Sequence, residues 1–274
     1  GNKKLGYEQA VVYDRVLRFE ERDKLMKILY YVYLLDVYMA VANVAKERGF
    51  VFAKAHPNDK NTLVMKGVFH PFLTNPVGNT ITVDENSNVI FLTGANMAGK
   101  STFMKSFGIT VFLAHVGFPV PAKEMEFSVQ NGMFTTINLP DNLSMGYSHF
   151  YAEVLRVKKV AQQVRQTQHL IVVFDELFRG TNVKDAFDAT LAVTEAIAER
   201  KNCAFMVSTH IIEVGQELGK RCNNVTFEYL PTVMKGKLPT YTYKLEQGIT
   251  SDKHGMIIIN NEKIIEIIKG EVAS

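Results

Sequence analysis

The sequence has little of what marks several specialised protein classes. It has two cysteines among 274 residues, Cys203 and Cys222, too few and too widely spaced for a disulfide framework or a zinc site. Glycine and proline occur at ordinary levels and there is no internal repeat, so the composition is that of a globular chain rather than a fibrous or disordered one. The scarcity of cysteine favours a reducing compartment.

Two further absences concern location and partners. There is no uninterrupted run of 18 apolar residues, and the first ten residues, GNKKLGYEQA, lack the apolar segment of a signal peptide. We therefore expect no membrane partner and a cytoplasmic location. The formal net charge of +3 is too small to indicate nucleic-acid binding by itself, because the lysines and arginines are scattered along the chain.

The pattern of apolar residues divides the chain into two parts. In residues 9–48 apolar residues recur at three- and four-residue spacing with almost no glycine or proline, which predicts one or two long amphipathic helices. We assign residues 1–50 to this helical segment. From residue 88 short β-rich runs alternate with helical stretches, which predicts an α/β fold with a mostly parallel sheet flanked by helices. We assign residues 51–274 to this second domain, with antiparallel strands added after residue 222.

The stretch FLTGANMAGKSTFM, residues 91–104, contains the pattern G-x-x-x-x-G-K-S/T between a predicted strand and a predicted helix. In this pattern the N–H groups of a curled glycine-rich loop and the N-terminus of the helix bind phosphate. Lys100 would reach the β- and γ-phosphates, and the Ser101 hydroxyl would ligate Mg²⁺. The predicted nucleotide-binding residues of the loop are Gly94, Ala95, Asn96, Met97, Ala98, Gly99, Lys100, Ser101 and Thr102.

Acidic and histidine side chains follow two other predicted strands. Asp175 ends the apolar run LIVVF and would hold Mg²⁺, whereas Glu176 would act as the base or orient the attacking water. His210 follows a third strand and would contact the γ-phosphate or the water. Because the carboxyl ends of parallel strands share one edge of a sheet, we expect these side chains to meet at Gly94. The second acid favours an Mg-dependent ATPase, with Lys100, Glu176 and His210 as catalytic residues, over a small-molecule kinase.

These motifs, in this order, resemble the ATPase domain of the MutS family of DNA mismatch-repair proteins. TGANMAGKST is similar to that family's TGPNMGGKST, DELFRGTN to DEIGRGTS, and STH to ATH. HVGFPVPAKEMEF resembles VGxxVPA, and MFTTINLPDNLSMGYSHFYAE resembles FTRIGAxDxLxxGxSTFMxE. HPFLTNP resembles a shortened form of HP…FxxNP, and LLDVYMAVANVAKERGFV resembles the segment that re-enters the ATPase from the clamp and lever helices.

The resemblance implies an ABC-type P-loop ATPase that binds ATP and Mg²⁺ and works as a homodimer with composite sites. ATP held by one subunit would be capped by the partner's signature segment, Asn142 to Glu153, with Ser148 acting in trans. Phe72 falls at the position expected to stack on adenine, and Tyr243 falls near a second nucleotide-side position. Core packing is an equally good explanation of both aromatic residues. ATP-driven dimerisation would be coupled to DNA clamping by lever helices, of which residues 1–50 would be the base.

The sequence departs from the family pattern at several positions. Ala95 and Ala98 replace proline and glycine in the loop but keep their N–H groups, so nucleotide binding should survive. His149 replaces threonine and Phe178 replaces glycine, which affects the expected dimer face more than the nucleotide site. Regions that would read mismatches or clamp double-stranded DNA are mostly absent from these residues. The chain is therefore either a fragment of a longer protein or a member of a reduced, divergent branch.

Two other functions remain open from the sequence. One is another ABC-type ATPase of DNA maintenance, although an LSGGQ-like signature is missing. The other is a nucleotide-gated scaffold without mismatch recognition, which intact Lys100, Asp175 and Glu176 disfavour.

Overall fold

The computed structural model describes residues 6–58, 61–95, 97–137, 149–236, 238–250, 259 and 263–269. The chain divides into two compact units, the first ending at Arg48 and the second beginning at Gly49. The first unit consists of helix α1 (Tyr7–Arg15), a π-helical turn (Val16–Glu20) and the long helix α2 (Arg22–Arg48).

Helix α2 carries apolar or tyrosine side chains on all its sides. Tyr30, Tyr31, Val32 and Tyr33 are consecutive and all exposed, so the expectation of an amphipathic helix is wrong for this part of the chain. Of the helices that the structure describes, this one is long and apolar enough to cross a membrane, a test that core helices of soluble proteins also pass. The apolar stretch is not uninterrupted, because Asp36 and Asn43 lie within it. The absence of a membrane partner stays a prediction.

The second unit contains the α/β fold. Its helices are α3 (Lys100–His115), α4 (His149–Gln166), α5 (Val183–Ala198), α6 (Ile212–Arg221) and α7 (Ile264–Ile268). Its strands are β1 (Lys54–His56), β2 (Leu63–Val68), β3 (Asn79–Val83), β4 (Val89–Gly94), β5 (Glu124–Ser128), β6 (Gly132–Thr136), β7 (Leu170–Phe174), β8 (Ala204–Ser208), β9 (Val225–Leu230), β10 (Thr232–Lys235), β11 (Leu238–Tyr241) and β12 (Glu246–Gln247).

The larger sheet has the strand order β12-β9-β4-β8-β7-β6. All its neighbouring strands are parallel except β12, which pairs antiparallel with β9 at one edge. Strands β4, β7 and β8 are buried along their whole length, as expected for a parallel sheet covered on both faces. The coarse α/β prediction is confirmed, and parallel pairing brings the carboxyl ends of β4, β8 and β7 to one edge.

A second, four-stranded sheet with the order β1-β5-β2-β3 was not predicted from the sequence. Its buried side chains share a core with α3, and Leu63, Met65 and Ile81 belong to that core. Glycine, proline and asparagine between β2 and β3 obscure the strands at the two ends of this segment in the sequence. This sheet matters for function, since it brings residues 68–79 to the start of α3.

Candidate nucleotide-binding site

The predicted phosphate loop lies between the central strand β4 and helix α3. Gly94 has φ 145° and Gly99 has φ 104°, conformations that side-chain-bearing residues rarely adopt. At Gly94 an added Cβ would lie 3.1 Å from the Leu230 carbonyl oxygen, so the loop also needs glycine there for space. The N-cap residue of α3 is Gly99, which has no side chain that could accept a hydrogen bond from the N–H groups of the first turn. The loop therefore has the backbone geometry and the helix end that phosphate binding requires.

Lys100 is 4% exposed, yet no carboxylate within the described part of the chain forms an ion pair with it. Its Nζ donates to the carbonyl oxygens of Gly94 at 2.7 Å and Ala95 at 3.3 Å. Burial lowers the pKa of Lys100, against the opposing effects of Glu176 and Asp175. A buried cation whose nearest partners are neutral carbonyl groups is suited to receive an anion.

The two acidic residues after β7 are held by a serine at the end of β8. The Ser208 hydroxyl donates to Asp175 Oδ1 at 2.7 Å and accepts the backbone N–H of Glu176 at 2.9 Å. Glu176 has φ 54°, a left-handed conformation that turns the chain sharply after the strand. Ser208 thus fixes the backbone from which both carboxylates extend.

His210 connects Lys100 to Glu176. Its Nε2 lies 2.5 Å from Glu176 Oε1, and its Nδ1 lies 3.5 Å from Lys100 Nζ. Lysine has no acceptor, so Nδ1 must accept and Nε2 must donate to the carboxylate. Arg179 donates to the other oxygen of Glu176 at 3.1 Å. The structure therefore brings together all three side chains that the sequence predicts as catalytic.

The hydrogen bond from His210 lowers the pKa of Glu176 to about 2, although burial acts in the opposite direction. A carboxylate this acidic remains ionised at neutral pH but is a weak proton acceptor. In this arrangement Glu176 is better suited to orient a water molecule than to remove its proton completely.

An open cavity of about 590 Å³ adjoins the loop, within the volume range of small-molecule sites. One wall is formed by residues of the loop and of α3, namely Ala95, Met97, Gly99, Lys100, Ser101, Thr102, Phe103 and Ser106. The segment between β2 and β3 also lines the cavity, with Phe69 and His70 among its lining residues. Burial, with a contribution from Lys105, lowers the pKa of His70, which favours the neutral imidazole.

Tyr243 and Phe72, the two aromatic residues predicted to lie near the nucleotide, occupy different places. Tyr243 lines the cavity, and an added Cβ at Gly99 would lie 3.0 Å from its Cδ1 atom. Phe72 is 83% exposed and is not part of the cavity wall, although its ring centroid is 5.9 Å from that of His70. A contact of either ring with adenine stays a prediction.

The residues predicted to hold Mg²⁺ fit that ion. Mg²⁺ prefers oxygen ligands and binds through one or two protein groups together with phosphate and water. Ser101 lines the cavity, and Asp175 follows β7, which is separated from β4 by β8. In the described ranges no group of three or more His, Cys, Asp or Glu side chains could hold a metal ion.

Some predicted residues lie outside the described residues. These are Asn96 of the loop, and Asn142 and Ser148 of the segment expected to cap the partner's nucleotide. Met97 and Ala98 are described: Met97 is exposed with φ 67°, and Ala98 is buried.

Phe178, which replaces a glycine of the family motif, keeps the left-handed conformation with φ 60°. It is 4% exposed and its ring packs edge-on against Phe150 of α4 at a centroid distance of 6.0 Å. Its N–H donates to Glu153 Oε1 on the same helix at 2.5 Å. Burial of the ring offsets the strain of a left-handed, side-chain-bearing residue.

Replacing Phe178 by alanine should lower the free energy of unfolding by about 3–5 kcal/mol, because the strain remains and the buried ring is lost. Urea unfolding followed by circular dichroism measures this change. The matched control is Phe72→Ala, which removes the same side chain from an exposed position and should change stability by less than about 0.5 kcal/mol. Equal losses in the two variants would contradict the packing role of Phe178.

Sequence reasoning missed three residues that the site uses. Ser208 and Arg179 lie within the motifs STH and DELFRGTN, but the sequence does not show that they form hydrogen bonds with Asp175 and Glu176. Asn79 begins β3 and bonds to the backbone of Tyr243, 164 residues away. No local pattern predicts such a pairing.

Comparisons with known proteins agree with the motifs. The model of the family MutS domain V matches residues 90–270, more than half of the chain. The chain is 28% identical over 257 residues to the DNA mismatch repair protein MutS of Persephonella marina, covering 90% of the chain and 29% of that protein. It is 30% identical over 220 residues to the MutS of Clostridioides difficile, covering 77% and 23%, respectively.

A eukaryotic relative is also similar. The chain is 30% identical over 247 residues to MutS protein homolog 4 of Mus musculus, covering 86% of the chain and 25% of that protein. The chain thus spans less than a third of the length of the curated relatives it matches.

Proposed function

The chain belongs to the MutS family, and on this premise we propose that it is the ATP-hydrolysing part of a MutS-like DNA mismatch-repair protein. The observation that carries the proposal is the line from Lys100 through His210 to Glu176 at the edge of the cavity. It connects a cation that is suited to bind phosphate with a carboxylate that is suited to orient a water molecule.

The reaction follows from these groups. Lys100 exchanges the carbonyl groups of Gly94 and Ala95 for phosphate oxygens of ATP. Glu176, held by His210, orients the water that attacks the γ-phosphate and yields ADP and phosphate. Mg²⁺, held by Ser101 and Asp175, would neutralise phosphate charge.

We further propose that ATP binding drives homodimerisation and moves lever helices that hold double-stranded DNA. This proposal rests on family membership alone. The residues of this chain do not supply a further argument, because the DNA-binding regions would lie mostly outside it. A cytoplasmic location stays a prediction.

Activity should rise with protein concentration if each site is completed by a second copy. We expect the rate of phosphate release per chain to increase at least about tenfold between dilute and concentrated protein at saturating ATP. A coupled phosphate assay over a hundredfold range of protein concentration measures it. A rate per chain that stays constant, while ATP is hydrolysed, would contradict the composite site and leave the ATPase proposal standing.

A nucleotide-gated switch with slow turnover is the second candidate. It is favoured by Arg179, which pairs with Glu176 and restrains the carboxylate. Tight ATP binding with turnover slower than nucleotide exchange would support it over a cycling ATPase.

A further inference from the structure

The Tyr243 ring reaches the phosphate loop through an unusual backbone. Strand β11 ends at Tyr241, and Tyr243 then takes a left-handed conformation with φ 55°. This conformation is unfavourable for a residue with a side chain, so the surrounding structure must hold it.

Asn79 supplies that restraint. Its side-chain Nδ2 donates to the carbonyl oxygen of Tyr243 at 2.9 Å, and its Oδ1 accepts the N–H of Leu245 at 2.8 Å. Both functional groups of one amide therefore bind the backbone on either side of Lys244. The residue is 3% exposed, so these bonds are shielded from competing water.

A second contact ties the same two segments together. Lys244 Nζ donates to the carbonyl oxygen of Gly78, the residue before Asn79, at 2.7 Å. Segments 78–79 and 243–245 are thus joined by three hydrogen bonds, although they are distant in sequence.

The consequence appears at the cavity. Tyr243 lies against Gly99, the last glycine of the phosphate loop, and both line the cavity together with Phe69, His70 and residues 73–77. If the Tyr243 backbone relaxed from its left-handed conformation, its ring would leave this wall, while Lys100 and the backbone of the loop would keep their own contacts.

We propose that Asn79 is a positioning residue for the nucleotide base: by holding the Tyr243 backbone it sets the wall that the base contacts. This inference rests on the proposed nucleotide binding in this cavity. Asparagine is required because one side chain must donate to a carbonyl and accept from an N–H, which neither aspartate nor alanine can do.

The test compares a ligand that has a base with one that lacks it. Dissociation constants for ATP and for inorganic tripolyphosphate are measured by titration calorimetry on wild type, Asn79→Asp and Tyr243→Ala. We expect both variants to bind ATP at least about tenfold more weakly than wild type, because a contact with the base is lost. Their affinity for tripolyphosphate should stay within about twofold of the wild-type value, because this ligand has no base. The double variant should bind ATP no more weakly than Tyr243→Ala, because Asn79 acts through Tyr243.

The matched control is Asn88→Asp. Asn88 is also a fully buried amide that bonds to backbone carbonyl groups, but it precedes β4 and lies at the opposite end of that strand from the loop. It should leave the ratio of ATP to tripolyphosphate affinity unchanged, whatever it does to stability.

Three outcomes would overturn the inference. The first is that Asn79→Asp loses affinity for ATP and for tripolyphosphate to the same extent. The second is a changed ratio of ATP to tripolyphosphate affinity in Asn88→Asp, and the third is wild-type ATP affinity in Tyr243→Ala. Tyr243 is half exposed, so the last measurement stands even where Asn79→Asp is unstable. Failure of wild type to bind either ligand would overturn the proposed function as well, whereas the other outcomes leave it intact.

Discussion

Replacement of Glu176 by glutamine is expected to reduce the rate of ATP turnover at least about a hundredfold while ATP affinity stays within about threefold of wild type. The amide has nearly the same shape as the carboxylate but carries no charge to orient the attacking water. Lys100 and the phosphate loop are unchanged, so the ground-state contacts with the phosphates survive. The measurements are steady-state phosphate release and equilibrium ATP binding.

The control for this variant is Glu217→Gln. Glu217 lies on α6 and pairs with Lys220 at 2.6 Å, an ion pair away from the cavity. It should keep wild-type turnover. Turnover of Glu176→Gln within tenfold of wild type would show that another group orients the water.

Replacement of Lys100 by methionine is expected to weaken binding of ATP about tenfold to a hundredfold, because a hydrogen bond from a charged donor to the phosphates is lost. Methionine has an unbranched apolar side chain of similar length to the stem of lysine and lacks the ammonium group. The free protein should not become less stable, because the buried ammonium group has neutral partners alone at hydrogen-bond distance. Calorimetric titration with ATP and urea unfolding measure the two effects.

Lys159→Met on α4 is the matched control for charge removal, since Lys159 is exposed and is not part of the cavity wall. It should bind ATP as wild type does. If Lys100→Met also kept full affinity, the assignment of Lys100 to the phosphates would be wrong.

The sequence could predict the central part of the site because its geometry is local. Glycine spacing predicts the loop between β4 and α3, and an apolar run followed by Asp175 and Glu176 predicts acids at a strand end. Parallel pairing then brings His210 to the same edge, since β4, β8 and β7 are neighbours.

The rest depends on contacts between segments distant in sequence. Asn79 meets Tyr243 across 164 residues, and Ser208 meets Asp175 across 33. The sheet β1-β5-β2-β3 likewise requires β5 to pair with β2 across the whole of α3. The residue pattern of one segment does not indicate which distant segment it contacts.

Phe72 stays a prediction. Its ring is exposed and is not among the residues that line the cavity, whereas Phe69 and His70 are.

A single-turnover experiment tests the central claim most directly. Radiolabelled ATP with Mg²⁺ is mixed with a large excess of the chain at high concentration, and bound ATP and ADP are quantified after acid quenching. We predict that wild type binds the label and converts it to ADP, whereas Glu176→Gln binds it and leaves it as ATP. A wild-type chain that neither retains the label nor converts it would contradict the account.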